Sequence, residues 1–132
     1  MNYEEIREQG QQKIDETLKK YGVFFAFSKE QFHEGKTPLQ EGDQYCRIMG
    51  GGFVALSNRK KLFDELEELT KWEAQEIKNN NQEEAHILYE LYNHECFYMC
   101  DPSGSFDSLP MYTEAQIYAV YRKNREEANK YS

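Results

Sequence analysis

The chain is expected to fold as α+β, with a small antiparallel sheet of about four strands and helices packed on one face. Three observations predict this. Short apolar runs of strand length, Val23 to Phe27 and Cys96 to Met99, accompany a glycine-centred pair, Gln44 to Met49 and Phe53 to Leu56. Longer stretches carry apolar residues at helical spacing. Their order is helix, strand, hairpin, two helices, strand, helix, which suits helices laid on antiparallel strands.

The first helix is expected from Asn2 to Tyr21, with Tyr3, Ile6, Ile14, Leu18 and Tyr21 near one face. Gly10 weakens it midway, and Gly22 is a natural stop. Val23 to Phe27 reads as a central strand because it is apolar throughout. Ser28 and Gln31 form a capping box that starts a short helix seating Phe32 and ending near Gly35. His33 lies in its polar part and reads as exposed.

Pro38 and Gly42 mark a loop from Thr37 to Asp43. Gly50-Gly51-Gly52 then joins two strand-like runs, as a hairpin turn needing positive φ would. Ser57 is placed to cap a long helix from about Asn58 to Lys78, with Leu62, Phe63, Leu66, Leu69 and Ile77 inward. Asn79-Asn80-Asn81 breaks it. A second helix follows from about Gln82 to His94, with Ala85, Leu88, Leu91 and Tyr92 inward.

Cys96 to Met99 is read as a fourth strand, and Asp101-Pro102-Ser103-Gly104 as a turn. A short element then carries Phe106, Leu109 and Tyr112. Thr113 and Gln116 form a second capping box, opening a last helix to about Tyr131. Ile117, Val120, Tyr121 and Ala128 share its apolar stripe. With no repeat, linker or composition break, the 132 residues read as a single domain, 1–132.

Composition narrows the setting. Aromatic content of 14% argues against disorder. The acidic, polar start is unlike a secretory leader, no apolar run is long enough to span a bilayer, and three irregularly spaced Cys read as reduced thiols. The expected location is cytoplasmic. No nucleophile elbow or Cys–His arrangement is present, so neither catalysis nor a cofactor is expected.

Charge is the strongest feature. Leu62 to Asp101 holds eleven Asp and Glu against two Lys, −9, while the whole chain is −8. Such a field repels nucleic acid and anionic membrane and attracts basic protein surfaces. Asp64, Glu65, Glu68 and Glu76 on the long helix, with Glu83 and Glu90 on the next, are therefore the candidate docking residues for a basic partner. The plainer reading is a solubilising surface. Glu73 departs from this pattern. It falls inside the apolar stripe, so it should find a donor, ionise late or overhang the core, and the overhang is favoured.

Two alternatives remain. Gly50, Gly51 and Gly52, with Ser57, Arg59 and Lys60 at a helix start, could hold an anion, with aromatic walls nearby. The glycines precede a strand, which neither a P-loop nor a dinucleotide fingerprint does. His94, Cys96 and Cys100, with Cys46 as fourth ligand, have loose metal-site spacing, since strand alternation would put Cys96 and Cys100 on one face. Glu83 and His86 form a lone Glu-x-x-His pair, and His86, Glu90 and His94 would drift along an outer face.

Phe25-Ala26-Phe27-Ser28, Gln31-Phe32, Glu34-Gly35, Gly42, Tyr45, Gly50-Gly51-Gly52-Phe53, Asn93-His94-Glu95-Cys96-Phe97-Tyr98, Asp101 and Tyr112-Thr113 carry a family likeness. Together they resemble an uncharacterised family of small phage and mobile-element proteins of gut-type Firmicutes and Bacteroidetes. The likeness spans about Gly22 to Arg125. The family's Pro-Lys before the long helix is Ala55-Leu56-Ser57 here, and its Gly before Asp101 is Cys100. The resemblance implies a setting rather than an activity; small acidic phage proteins often occupy a host protein surface, sometimes one made for nucleic acid, and the basic partner expected from the charge is then a nucleic-acid-binding or defence protein of the host.

Overall fold

The computed structural model describes the backbone of residues 1–129 and side chains as far as Glu126. It divides into two compact units, Glu4–Glu76 and Met1–Tyr3 together with Ile77–Ser132.

In the first unit, α1 (Tyr3–Lys20) runs unbroken through Gly10. It ends where expected. Gly22, at φ +68°, lets its own amide reach the Lys19 carbonyl and the Val23 amide reach Leu18, closing the helix end with a left-handed residue. Only Phe24–Phe25 of the apolar run that follows is strand, β1. It lies at the edge of the sheet, not its centre.

Helix α2 (Lys29–Gly35) starts at Ser28, whose hydroxyl accepts the Gln31 amide at 3.1 Å. Gln31 returns a side-chain oxygen to the amide of Phe27 at 2.8 Å, one residue before the expected one. Strands β2 (Tyr45–Ile48) and β3 (Gly52–Ala55) pair antiparallel with Arg47 opposite Phe53. The turn between them is a short 3-10 stretch with Gly50 and Gly51 at φ +76° and +80°, as the glycines predict.

The sheet is antiparallel, of three strands in the order β1-β3-β2. On one face Phe24, Phe32, Tyr45 and Phe53 meet ring to ring, with centroids 5.0 to 5.5 Å apart. Such edge and stacked contacts add to simple burial. Val54, alternating to the other face, is fully buried.

Helix α3 (Leu56–Asn79) begins two residues earlier than expected, and Ser57 is not its cap. The carboxylate of Asp43 accepts the Ser57 amide at 3.3 Å and the Ser57 hydroxyl at 2.6 Å, so the cap comes from the preceding loop. Leu62 is buried and Leu66 and Leu69 half-buried, but Phe63 is exposed.

In the second unit, the asparagine run ends α3 with Asn81 left-handed at φ +55°. Helix α4 (Glu83–Asn93) buries His86, Ile87 and Leu91, while Tyr92, expected inward, is exposed. The expected fourth strand is instead one helical turn, α5 (Cys96–Met99). Cys96 and Phe97, adjacent, are both buried, and Tyr98 and Met99 are both exposed, which strand alternation forbids. Left-handed Glu95 and Cys100 bracket this turn, and the Asp101 amide closes on the Cys96 carbonyl at 3.0 Å. Four apolar residues are too few to separate the two periodicities, so the closing bonds decide.

A 3-10 stretch, Pro102–Ser108, is capped by Asp101. Helix α6 (Glu114–Asn129) opens on the expected box: Thr113 and Gln116 each bond the other's amide, at 2.7 and 3.2 Å. Ile117, Val120 and Tyr121 enter a core with Ile87, Leu91, Cys96, Phe97 and Leu109. The expected Tyr131 end and the Ala128 side chain lie outside the described residues. Among the described residues no helix is long and apolar enough to cross a membrane.

Candidate functional site

A cleft lies beside the glycine turn. Ala26, Phe27, Ser28, Lys29, Phe32, Arg47, Ile48, Gly50, Gly51 and Phe53 enclose an open cleft of about 700 Å³. All belong to the unit Glu4–Glu76.

Local rules place each wall. Phe27 is tied through its amide to Gln31, and its ring lies against Gly51. A Cβ on Gly51 would stand 2.9 Å from Cζ of that ring and closer still to Cε1, so only glycine admits Phe27 there. The ring is 78% exposed, held rather than buried. Arg47 reaches the cleft because hairpin register sets it beside Phe53, its guanidinium 5.5 Å from the ring centroid. Lys29 follows the cap residue Ser28 directly.

The electrostatics are consistent with this placement. No Asp or Glu lines the cleft. Neither Lys29 nor Arg47 takes part in an ion pair among the described residues, whereas Lys20, Lys60, Lys71 and Lys123 all do. From Gly22 to Lys61 the chain has six Lys and Arg against four Asp and Glu, +2 in a protein of −8. The Ser28 hydroxyl accepts the Gln31 amide and keeps its own proton to donate.

The expected anion set is thus divided. Gly50 and Gly51 line the cleft, while Gly52 is paired in β3. Ser57, Arg59 and Lys60 lie past the far end of β3, roughly 13 Å along the strand. The helix start there is already served by Asp43, whose carboxyl is held below its usual range by the Ser57 hydroxyl first and the Gln44 amide next. Arg59 covers Phe63, and Lys60 pairs with Asp64 at 3.1 Å. Sequence reasoning missed Phe27, Lys29 and Arg47. Counting back across the turn, Ile48 opposite Gly52 and Arg47 opposite Phe53, was the signal that could have found Arg47.

The acidic docking residues fall in both units, and most have local partners. Glu65 accepts Lys20 at 2.6 Å and the Tyr21 hydroxyl at 2.7 Å, which lowers its carboxyl pKa and raises both donors. Glu68 pairs with Lys71 at 3.4 Å, and Glu76 is half-buried. Glu83 and Glu90, expected to point outward, are half-buried too. One Glu83 oxygen, Oε1, is buried without a hydrogen-bond partner among the described residues, and Glu90 meets His94 Nε2 at 3.2 Å.

Glu73 does not overhang. Its carboxylate lies against buried Gly10 of α1, where an added Cβ would be 3.1 Å from Oε2. Burial raises its pKa, and nearby Arg7 only partly opposes this.

The metal set is not assembled: among the described residues no group of three or more His, Cys, Asp or Glu side chains is placed to hold an ion. Cys96 is buried with its thiol toward the Pro102 carbonyl, and Cys100 is exposed. His94 bonds the Ser108 hydroxyl at 2.8 Å, and Cys46 is half-buried on β2. His86, expected on an outer face, is 7% exposed. It stacks on Tyr3 and bonds the Tyr112 hydroxyl at 2.9 Å. Burial lowers its pKa, with Glu90 opposing; burial, then the Glu83 charge, pushes Tyr112 up to about 12.

Over residues 2–128 the chain matches the model of a protein family described as a family of unknown function (DUF7659). No curated protein and no solved structure matches it at a significant level.

Proposed function

The chain belongs to the family of unknown function DUF7659, and from that premise, which lends it no activity, we propose that it is a receptor for small organic anions. One observation carries the reading. Two cations outside any ion pair among the described residues, Lys29 and Arg47, share a cleft with three phenylalanine rings and no carboxylate. An anion with a flat apolar part satisfies both kinds of wall, whereas a cation meets the like charge of Lys29 and Arg47. The volume lies within the range of small-molecule sites. Binding without turnover is the simplest form of this reading, because the lining holds no imidazole, thiol or carboxylate to move a proton.

Docking of the acidic helices on a basic host protein, in a phage or mobile-element setting, is the second reading. The chain total of −8 favours it. The pairing of Glu65 and Glu68 with lysines and the partial burial of Glu83 and Glu90 weaken it.

The test is thermal shift against aromatic carboxylates, sulfonates and phosphates, with matching amines as controls. Stabilisation by anions at millimolar concentration, diminished by salt and absent from the double variant Lys29→Glu, Arg47→Glu, is expected. Equal stabilisation by amines, or a shift that persists in the double variant, would refute the receptor.

A further inference from the structure

Within the receptor reading, on which this step rests, we propose that the occupant is a nucleoside monophosphate. Its base would lie on the phenylalanine walls and its phosphate on Arg47 and Lys29. The cleft separates two recognition chemistries along one surface. Phe27 supplies the exposed ring face, with Phe32 and Phe53 lining the cleft beside it, and a nucleobase is a flat ring system whose stacking on aromatic side chains needs no matching hydrogen bonds.

Arg47 lies over Phe53, so its guanidinium adjoins the stacking wall without leaving the charged end. A guanidinium fork fits phosphate oxygens in pairs, a lysine adds a mobile point charge, and the Ser28 hydroxyl adds a donor. Gly50 presents open backbone to the cleft, since a Cβ there would meet nothing within 4 Å.

Competing anions fit less well. A sugar phosphate leaves the rings uncovered, and a fatty acid calls for an enclosed apolar channel rather than an open cleft bearing two cations. A nucleic-acid strand would bring many phosphates to a protein of net charge −8, whereas a mononucleotide brings one. The lining also predicts tolerance of base identity. It contains no carboxylate or carboxamide to read a base edge, so stacking area sets the ranking. Adenosine and guanosine monophosphates should bind within a few-fold of each other, and uridine monophosphate more weakly.

Isothermal titration of the full chain at low salt tests this with AMP, GMP, UMP, ribose 5-phosphate, inorganic phosphate and a single-stranded oligothymidylate. The expected result is AMP binding about tenfold or more tighter than ribose 5-phosphate. Phe27→Ala should remove that advantage while leaving ribose 5-phosphate unchanged. Arg47→Ala should weaken both phosphates, with an unchanged melting temperature showing that the fold is intact. Equal binding of AMP and ribose 5-phosphate overturns the nucleotide and leaves the anion receptor standing. Tighter binding of the oligothymidylate than of AMP overturns it in favour of a strand. If no compound binds in an Arg47-dependent way, both readings fall.

Discussion

Phe97 and Tyr121 stack at 5.3 Å inside the unit containing Ile77–Ser132 and are 9% and 7% exposed, whereas Phe27 of the unit Glu4–Glu76 is 78% exposed. Both units are rich in rings, but they use them differently. In the unit with Ile77–Ser132, rings join Leu91, Leu109 and Ile117 in a closed core, and the polar His86 and Tyr112 bond each other. In the unit Glu4–Glu76, Phe24 is buried while Phe32 and Phe53 stop at half-burial, and Phe27 lies exposed against Gly51. Buried rings account for stability. A ring left uncovered is one that a ligand can use.

The largest expected difference between the units comes from truncation. Leu91→Ala, at a fully buried position, should lose about 2–5 kcal/mol in urea unfolding, because it leaves a cavity that a packed core cannot close. Phe27→Ala should lose less than about 1 kcal/mol, since most of the ring is already in water. Comparable losses at the two sites would show that Phe27 is a core residue, and the contrast would fail.

Glycine substitution sharpens the same comparison on a smaller scale. Gly50→Ala should cost about 1–2 kcal/mol for a left-handed residue with a Cβ. Gly51→Ala carries that cost and also displaces Phe27, so it should lose more stability than Gly50→Ala and abolish nucleotide binding. Denaturant midpoints and titrations of the two variants, compared side by side, check this.

The smallest effect is a pair of opposed pH slopes. His86 has its folded pKa below its ordinary 6.5, so its contribution is whole above 6.5 and is lost as pH falls through the lower folded value. Glu73 has its folded pKa above its ordinary 4.5, so its contribution is whole below 4.5 and is lost as pH rises through the higher folded value. Melting temperatures of His86→Gln should therefore fall less than the parent's on acidification from pH 7. Those of Glu73→Gln should exceed the parent's near neutrality and converge with it at pH 4. Parallel curves for parent and variants would mean that neither group is the titrating one.

Much of the fold was legible because local chemistry controls it. Ser28 with Gln31 and Thr113 with Gln116 cap helices wherever they occur ahead of helical periodicity, and Gly22, Gly50 and Gly51 have the positive φ that their turns need. The site was half legible. The glycine turn was found as a possible anion site, but it was joined to Ser57, Arg59 and Lys60 because those are close in sequence. They are separated from it by the length of β3. The charged residues that share its cleft, Lys29 and Arg47, come from α2 and from the opposite strand, and neither stands out in a list of charges.

The amino-acid sequence by itself determined the α+β class, the capped helices, the glycine hairpin and the uneven distribution of charge. Each of these depends on residues within a few positions of one another, so spacing suffices to read them. Only the tertiary structure decided that Asp43 caps α3, that His86 turns inward, that Cys96 to Met99 coil into a turn and that Phe27, Arg47 and Lys29 line one cleft. Most of these outcomes depend on partners brought together by hairpin register and packing, and the Cys96 to Met99 run is too short for its periodicity to decide. Such preferences emerge once the chain has closed on itself.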